Sequence, residues 1–170
     1  MEAIEVMAEP RVELPPWRFV RYGQDDSLDA AARRLFLAQW PGCHLPRCEG
    51  SDLPMTAIAL SDDKVLGCAS VVRTFLPETG RLATCLSNLV IAAPHRRQGL
   101  GRRLVSWLTL EAAEVGERRL YAVSAQRAFF RAIGWSAVST ERKSDASASS
   151  QDAEAAQLFE SPWNKQWSAI

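Results

Sequence analysis

Arginine and glycine residues cluster in one short turn of this 170-residue chain, at positions 96–101 (RRQGLG). An apolar run at 89–91 (LVI) precedes the turn, and apolar residues at helical spacing follow it. The turn therefore joins a buried strand to the N-terminus of an amphipathic helix. The N–H groups of a helix N-terminus bind anions, and Gly99 and Gly101 would let an anion approach the backbone closely. We predict that a diphosphate binds here, with the neighbouring arginines adding positive charge.

Other residue types that could do chemistry are few. His44 has a side chain suited to accept a proton near neutral pH, although an exposed loop histidine is the alternative. Cys43 and Cys48 lie beside it without the second ligand pair that a zinc site needs, so we predict no metal site. Cys68 and Cys85 lie in apolar runs and are predicted to be core thiols.

Alternating strand and helix patterns surround the turn. Apolar runs and polar alternation predict strands over 17–22, 56–60, 65–72, 82–91, 120–123 and 135–140. Helical spacing predicts helices over 28–39, 100–115 and 125–133, and the connection 43–54 has room for a short one. This order indicates an α/β (α+β) fold, with a mixed sheet and helices on both of its faces.

The bulk composition is that of an ordinary globular domain. Hydrophobic residues make up 47% and charged residues 24% of the chain, and the formal net charge is zero. That balance argues against nucleic-acid and membrane partners. The acidic N-terminus lacks the pattern of a signal peptide, and no apolar run approaches the roughly 20 residues of a membrane span. We expect a cytoplasmic protein with reduced thiols.

Four segments are predicted along the chain. Residues 1–16 are an arm, 17–143 the folded domain, 144–156 a linker rich in Ser, Ala and Asp, and 157–170 a tail. Trp163 and Trp167 are four residues apart, so one helical turn could dock both, on this domain or on a partner.

The spacing Arg-x-x-Gly-x-Gly after an apolar strand resembles the acetyl-CoA-binding motif of the GCN5-related N-acetyltransferase (GNAT) superfamily. The resemblance implies the GNAT fold, with a mostly antiparallel sheet, and acetyl-CoA as co-substrate. Its cofactor contacts would come from Leu89, Val90, Ile91, Arg96, Arg97, Gln98, Gly99, Leu100, Gly101 and Arg102. Ser124 and Gln126 would lie near the pantetheine arm, and the alternative for Ser124 is a helix N-cap before Ala125.

A second segment, 128–135 (AFFRAIGW), resembles the part of these enzymes in which a tyrosine protonates the leaving thiolate. Phe130 stands at the position of that tyrosine. Since phenylalanine has no hydroxyl, it cannot act as a general acid, and we expect its ring to pack against the thioester.

Within this superfamily, the chain most resembles the actin N-terminal acetyltransferases, which share a Gln-Trp-Pro sequence that this chain has at 39–41. The resemblance covers about residues 17–140 and leaves the tail outside. It implies that a protein N-terminus, including an acidic one, is the acceptor, and that Trp40 lines the substrate groove or anchors the core. An acidic acceptor would need a basic groove, for which the candidates are Arg33, Arg34, Arg47 and Arg73.

Related enzymes often carry a glutamate on the strand before the motif, where this chain has Ser87 and Asn88. Neither is a base at neutral pH, but either could orient a water molecule. Ser87, Asn88 and His44 are therefore the candidate catalytic residues. We predict an N-acetyltransferase in which the amine attacks acetyl-CoA directly in a ternary complex. The alternatives are an acyl-CoA-binding module with impaired catalysis and an acetyltransferase of small amines.

Overall fold

The structure is a computed structural model that describes residues 17–47, 52–139 and 156–162. The predicted arm 1–16, Cys48, most of the linker, Trp163 and Trp167 lie outside the described residues. The strands are β1 (Arg18–Arg21), β2 (Met55–Ser61), β3 (Lys64–Leu76), β4 (Arg81–Ile91), β5 (Tyr121–Ser124), β6 (Ser136–Ala137) and β7 (Gln157–Glu160). The helices are α1 (Asp26–Gln39), α2 (Leu100–Glu114) and α3 (Arg127–Ala132).

The predicted fold class is confirmed, and the long elements lie where the sequence places them. The described parts of the connection 43–54 contain no helix, and β6 is shorter than the predicted strand 135–140. None of the helices within the described ranges is long and apolar enough to cross a membrane.

The strands form one sheet in the order β1-β2-β3-β4-β5-β7-β6. Neighbouring strands are antiparallel except for β4 and β5, which are parallel. The parallel contact is short, since its register consists of the pair Cys85 and Tyr121. The two strands separate beyond that pair.

Strand β7 corrects the predicted domain boundary. The sequence put the end of the domain at residue 143 and assigned 157–170 to a tail, but Gln157–Glu160 pairs with β5 on one side and with β6 on the other. Phe159 is fully buried in the main core. A short apolar pair within a polar segment is a weak strand signal, and here the neighbouring strands supply the missing stability.

Helices α1 and α2 cover opposite faces of the sheet. Helix α1 begins at the N-cap Asp25, whose carboxylate accepts hydrogen bonds from the backbone N–H groups of Ser27 and Leu28. The Leu28 bond is the main reason that the pKa of Asp25 is lowered. Helix α2 buries Leu104 and Leu108 against the larger core cluster.

Gly67 allows β3 and β4 to approach closely beside the centre of the sheet. A Cβ atom at this position would lie 2.7 Å from the backbone oxygen of Val90 and 2.5 Å from the Ile91 side chain. Gly67 is paired with Ile91 in the sheet register. A larger residue here would push apart the two strands that carry the candidate site.

Candidate functional site

A gap opens between β4 and β5 at their C-terminal ends. Strand β4 continues from Cys85 to Ile91, whereas β5 continues to Ser124 with β7 as its partner on the other side. In the described sheet, therefore, the edge of β4 that faces β5 has no strand paired to it beyond Cys85. Its backbone N–H and C=O groups are available to a ligand that lies along it like a strand.

A β-bulge interrupts β4 beside this gap. The register passes from Ser87 opposite Ser70 to Val90 opposite Cys68, so Asn88 and Leu89 together face one residue of β3. Asn88 has a φ of 57°, in the left-handed region that few non-glycine residues adopt. Bulges re-aim side chains and often lie beside active sites. The Ser87 hydroxyl donates a hydrogen bond to Oδ1 of Asn88 at 3.1 Å.

The turn before α2 directs backbone N–H groups towards the end of the gap. Gly99 is the N-cap, with a φ of 85°, and Arg97 also has a positive φ of 64°. Among the described residues, no side chain or backbone oxygen accepts a hydrogen bond from the N–H groups of Leu100, Gly101 and Arg102. An uncapped N-terminus of a 15-residue helix suits an anion such as a diphosphate.

Two side chains hold the turn in shape. Nε of Arg96 donates to the Ile91 carbonyl at 2.8 Å, and Nε2 of Gln98 donates to the Pro94 carbonyl at 3.0 Å. Both side chains are exposed, as are Arg97 and Arg102. The charge of the turn is therefore open to solvent and to an anionic ligand.

Phe130 does not line the gap, contrary to the prediction. It is only 4% exposed and stacks on Phe159 with a centroid distance of 5.1 Å, with Trp135 at the same distance. Its ring therefore leaves almost no surface for a thioester. The aromatic ring beside the turn is that of Phe129, which would lie 3.4 Å from a Cβ atom on Gly101. Because both residues are phenylalanine, the sequence alone does not predict which of the two rings is buried in the core.

The other predicted cofactor residues lie at the rim of the gap. Ser124 ends β5, and its hydroxyl accepts a hydrogen bond from the backbone N–H of Gln126 at 3.0 Å. This bond closes a turn between β5 and α3. The N-cap of α3 is Gln126, so Ser124 is not the helix N-cap that the sequence offered as the alternative. Gln126 is exposed just before α3.

The loop after α1 packs on the α1 side of the sheet, near the end of β4. Leu45 belongs to the same buried cluster as Cys68 and Val90. Trp40 is half-buried and packs on Phe36 with a centroid distance of 5.2 Å, which fits a core anchor. His44 is exposed within this loop. An acceptor could enter between the loop and the bulge of β4.

Three of the four arginines proposed for a basic groove bond to side chains of this protein. Arg33 lies on α1 and donates to the Tyr22 hydroxyl, which raises the pKa of Arg33. Arg47 pairs with two aspartates at the start of α1. Arg73 bonds to Glu117 beyond the end of α2, with its Nη2 at 2.6 Å. Arg47 and Arg73 are thus paired with carboxylates, and the basic acceptor groove stays a prediction.

The buried cysteines are core thiols, as predicted. Burial raises the pKa of Cys68 to about 12 and that of Cys85 to about 11. Both side chains therefore stay protonated at neutral pH and are poor nucleophiles. Within residues 17–47, 52–139 and 156–162, no three His, Cys, Asp or Glu side chains lie close enough together to hold a metal ion.

Comparison with known families finds a match for the part of the chain that contains the gap, the bulge and the N-terminus of α2. Residues 54–137 match the family model described as an acetyltransferase (GNAT) domain. The chain carries a GNAT acetyltransferase domain. The matched range contains the bulge of β4, the turn at 96–101 and α3, so the predicted superfamily is confirmed. A comparison with curated proteins finds no match.

Solved structures with the same fold include acetyltransferases of small molecules. An aminoglycoside acetyltransferase from an uncultured soil metagenomic sample is 16% identical, with a TM-score of 0.58 over 79% of this chain and 97% of that one. An aminoglycoside 6′-N-acetyltransferase solved with coenzyme A is 14% identical, with a TM-score of 0.58 over 84% and 94% of the two chains. N-acetylglutamate synthase from Neisseria gonorrhoeae, solved with coenzyme A and L-arginine, is 19% identical, with a TM-score of 0.56 over 88% of this chain and 34% of that one.

These likenesses establish the fold of the GNAT domain. The narrower resemblance to the actin N-terminal acetyltransferases, which depends on residues 39–41, gains no support from them and stays a prediction.

Proposed function

We propose that the GNAT domain transfers the acetyl group of acetyl-CoA to a primary amine. The uncapped N-terminus of α2 beside the open edge of β4 is the observation that carries this proposal. Acetyl-CoA brings the acyl group as a thioester, which an amine can attack directly. Two of the structures with this fold were solved with coenzyme A, which supports the same ligand here.

Two sets of residues bind acetyl-CoA, one at the diphosphate and the other at the pantetheine arm and the acetyl group. The backbone N–H groups at 97–101 hold the diphosphate, with Arg96, Arg97 and Arg102 around it. The exposed backbone edge of β4 at 88–91 holds the pantetheine arm and the acetyl carbonyl. Holding both reactants in place is worth about 7–11 kcal/mol of the barrier, which is enough for slow catalysis without a dedicated acid or base.

The acceptor follows from the groups that flank the bulge. The attacking amine must be neutral, and neither Ser87 nor Asn88 can remove a proton from an ammonium group. At pH 7.5 about one third of an α-amine with a pKa near 7.8 is neutral, against about one in 800 for a lysine amine with a pKa near 10.4. We therefore infer that the acceptor is an α-amine, such as a protein N-terminus, rather than a lysine or a polyamine.

Acetylation of matched acceptors tests this proposal. One peptide has a free N-terminus and no lysine, and its twin has a blocked N-terminus and one lysine. Each is incubated with acetyl-CoA at pH 7.5, and mass spectrometry locates the acetyl group. We expect the α-amine to be acetylated much faster, at a rate that rises with pH through a midpoint near 7.8 and levels off at about pH 9. Faster acetylation of the lysine peptide, a polyamine or an aminoglycoside would contradict the α-amine assignment.

A binding module without catalysis is the second candidate. Phe130 favours it, because no side chain of α3 (Arg127–Ala132) carries a hydroxyl that could protonate the leaving thiolate. Saturable acetyl-CoA binding, with no acceptor acetylated above the uncatalysed background, would establish that function. Acetylation of any acceptor above background would exclude it.

A further inference from the structure

A second cleft opens at the other end of the contact between β4 and β5. Within the described sheet, Cys85 and Tyr121 form the register pair that joins these strands. Before that pair, β4 has no strand beside it on this side, because residues 116–120, which lead into β5, belong to no strand. The start of β4 and this segment line a cleft of about 630 Å³, which we call the arginine cleft. That volume is typical of small-molecule sites.

Positive charge exceeds negative charge in the walls of the arginine cleft. The lining side chains include four arginines and one carboxylate, that of Glu117. Arg73 donates to Glu117 through Nε at 3.0 Å and Nη2 at 2.6 Å. Nη1 of Arg119 donates to Glu160 at 2.6 Å. These two pairs are close to neutral, so the surplus charge comes from the other two arginines of the cleft.

Those two are Arg81 and Arg118, and both are exposed. Neither takes part in an ion pair within the part of the chain that the structure describes. Nη2 of Arg81 donates to the Tyr121 hydroxyl at 2.9 Å, and the guanidinium carbon lies 5.9 Å from the centroid of the Tyr121 ring. Tyr121 is buried, so its ring holds Arg81 in the wall of the cleft without neutralising its charge.

The cleft offers mainly hydrogen-bond donors to a ligand. A guanidinium group has N–H donors and no acceptor. The Tyr121 hydroxyl accepts a hydrogen bond from Arg81, and no acceptor for its own proton is found among the described residues. Leu82, which also lines the cleft, is 66% exposed and adds an apolar wall. A complementary ligand therefore carries anionic oxygen atoms on a short carbon skeleton.

We propose that the arginine cleft binds a small organic acid with two or more carboxylate or phosphate groups. Arg81 and Arg118 bind the anionic groups, and the carbon skeleton lies against Leu82. Carboxylate and phosphate share this chemistry, because the arginine fork matches the oxygen atoms of both in bidentate geometry.

The arginine cleft is separate from the site of acetyl transfer. Thr84 in its wall precedes the bulge at Asn88 by four residues of strand, or about 13 Å. An acid bound in the cleft is therefore out of reach of the thioester and is not the acceptor. This inference goes beyond the proposed function and does not depend on it.

Calorimetric titration with citrate and with 3-phosphoglycerate, in the absence of acetyl-CoA and of phosphate buffer, tests the site. We expect saturable binding of at least one probe, and the tighter of the two shows whether carboxylate or phosphate is preferred. Arg81→Gln and Arg118→Gln should each weaken that binding about tenfold, the loss of one charged hydrogen bond. Arg131→Gln, on the exposed side of α3, removes the same charge elsewhere and should bind like the wild type.

The turn at 96–101 could attract the same probes, so their place of binding is measured as well. We expect the largest changes in backbone amide NMR resonances at 81–84 and 116–121, and Arg102→Gln at the turn should leave the affinity unchanged. Neither probe saturating at millimolar concentration would overturn the inference. It is also overturned if Arg81→Gln or Arg118→Gln binds like the wild type, if Arg131→Gln loses as much affinity as they do, or if the largest resonance changes lie at 96–102.

Discussion

Two glycines at opposite ends of α2 allow the anion site to be tested against a matched control. Gly99 precedes the helix with a φ of 85°, and Gly116 follows it with a φ of 92°. An added Cβ atom would meet nothing within 4 Å at either position. Alanine at each position therefore imposes similar backbone strain, about 1–2 kcal/mol, without a steric clash. Only Gly99→Ala places a methyl group where the diphosphate would approach the N–H groups.

The expected loss of affinity follows from the hydrogen bonds at stake. A hydrogen bond between a backbone N–H and a charged oxygen contributes about 1.5–3 kcal/mol. If the methyl group displaces the diphosphate from one such bond, the Kd for acetyl-CoA should rise about 10- to 150-fold. Strain alone lowers stability in both variants, by about 2–4 °C in Tm for each kcal/mol. It does not change the affinity of the folded protein.

Isothermal titration calorimetry with acetyl-CoA measures both variants and the wild type at the same ionic strength. Thermal unfolding of each protein checks that the strain is similar. We expect Gly116→Ala to bind as the wild type does and Gly99→Ala to bind far more weakly. Equal affinity of the two variants would refute the assignment of the diphosphate to the N-terminus of α2.

Three further predictions concern the scaffold. Gly67→Ala should lower the free energy of unfolding by about 1–3 kcal/mol, measured with denaturant, because its Cβ atom would lie 2.7 Å from a backbone oxygen of β4; an unchanged value would contradict this. Asp25→Ala should lower Tm at neutral pH. Capping lowers the pKa of Asp25 in the folded protein. The Asp25 carboxylate therefore stabilises the fold in full above the pKa that Asp25 has in the unfolded chain. This stabilisation is lost as the pH falls through the pKa that Asp25 has in the folded protein. The Tm difference should therefore shrink below about pH 4, and a constant difference would exclude this cause. Exposed Cys43 should react with a thiol reagent in the folded protein, whereas Cys68 and Cys85, with pKa values of about 12 and about 11, should react only on unfolding; early labelling of either would show that they are accessible.

Local patterns were sufficient to predict most of the fold. Helix α1 has the N-cap Asp25, and both α1 and α2 have an apolar stripe that packs against the sheet. The turn at 96–101 was predicted from glycine and arginine spacing, because the geometry of a strand, a turn and a helix is set by neighbouring residues. These features depend on contacts that are short in sequence.

Long-range contacts account for what the sequence could not predict. Strand β7 is held in the sheet by pairing with β5 and β6, which lie far from it along the chain. Positions 129 and 130 are both phenylalanine, so the sequence does not show which ring is buried. The stacking on Phe159 places Phe130 in the core.

The central claim is that the turn before α2 holds the diphosphate of acetyl-CoA. Its most direct test compares the binding of acetyl-CoA to the wild-type protein with that of S-acetylpantetheine, which has the same thioester arm without the diphosphate and the adenosine 3′-phosphate. Adenosine 3′-phosphate alone is used to measure the contribution of the nucleoside. We expect saturable binding of acetyl-CoA and binding of the fragment that is weaker by at least about tenfold, the contribution of one charged hydrogen bond. Equal affinity for the two compounds, or no binding of acetyl-CoA at high micromolar concentration, would contradict the claim.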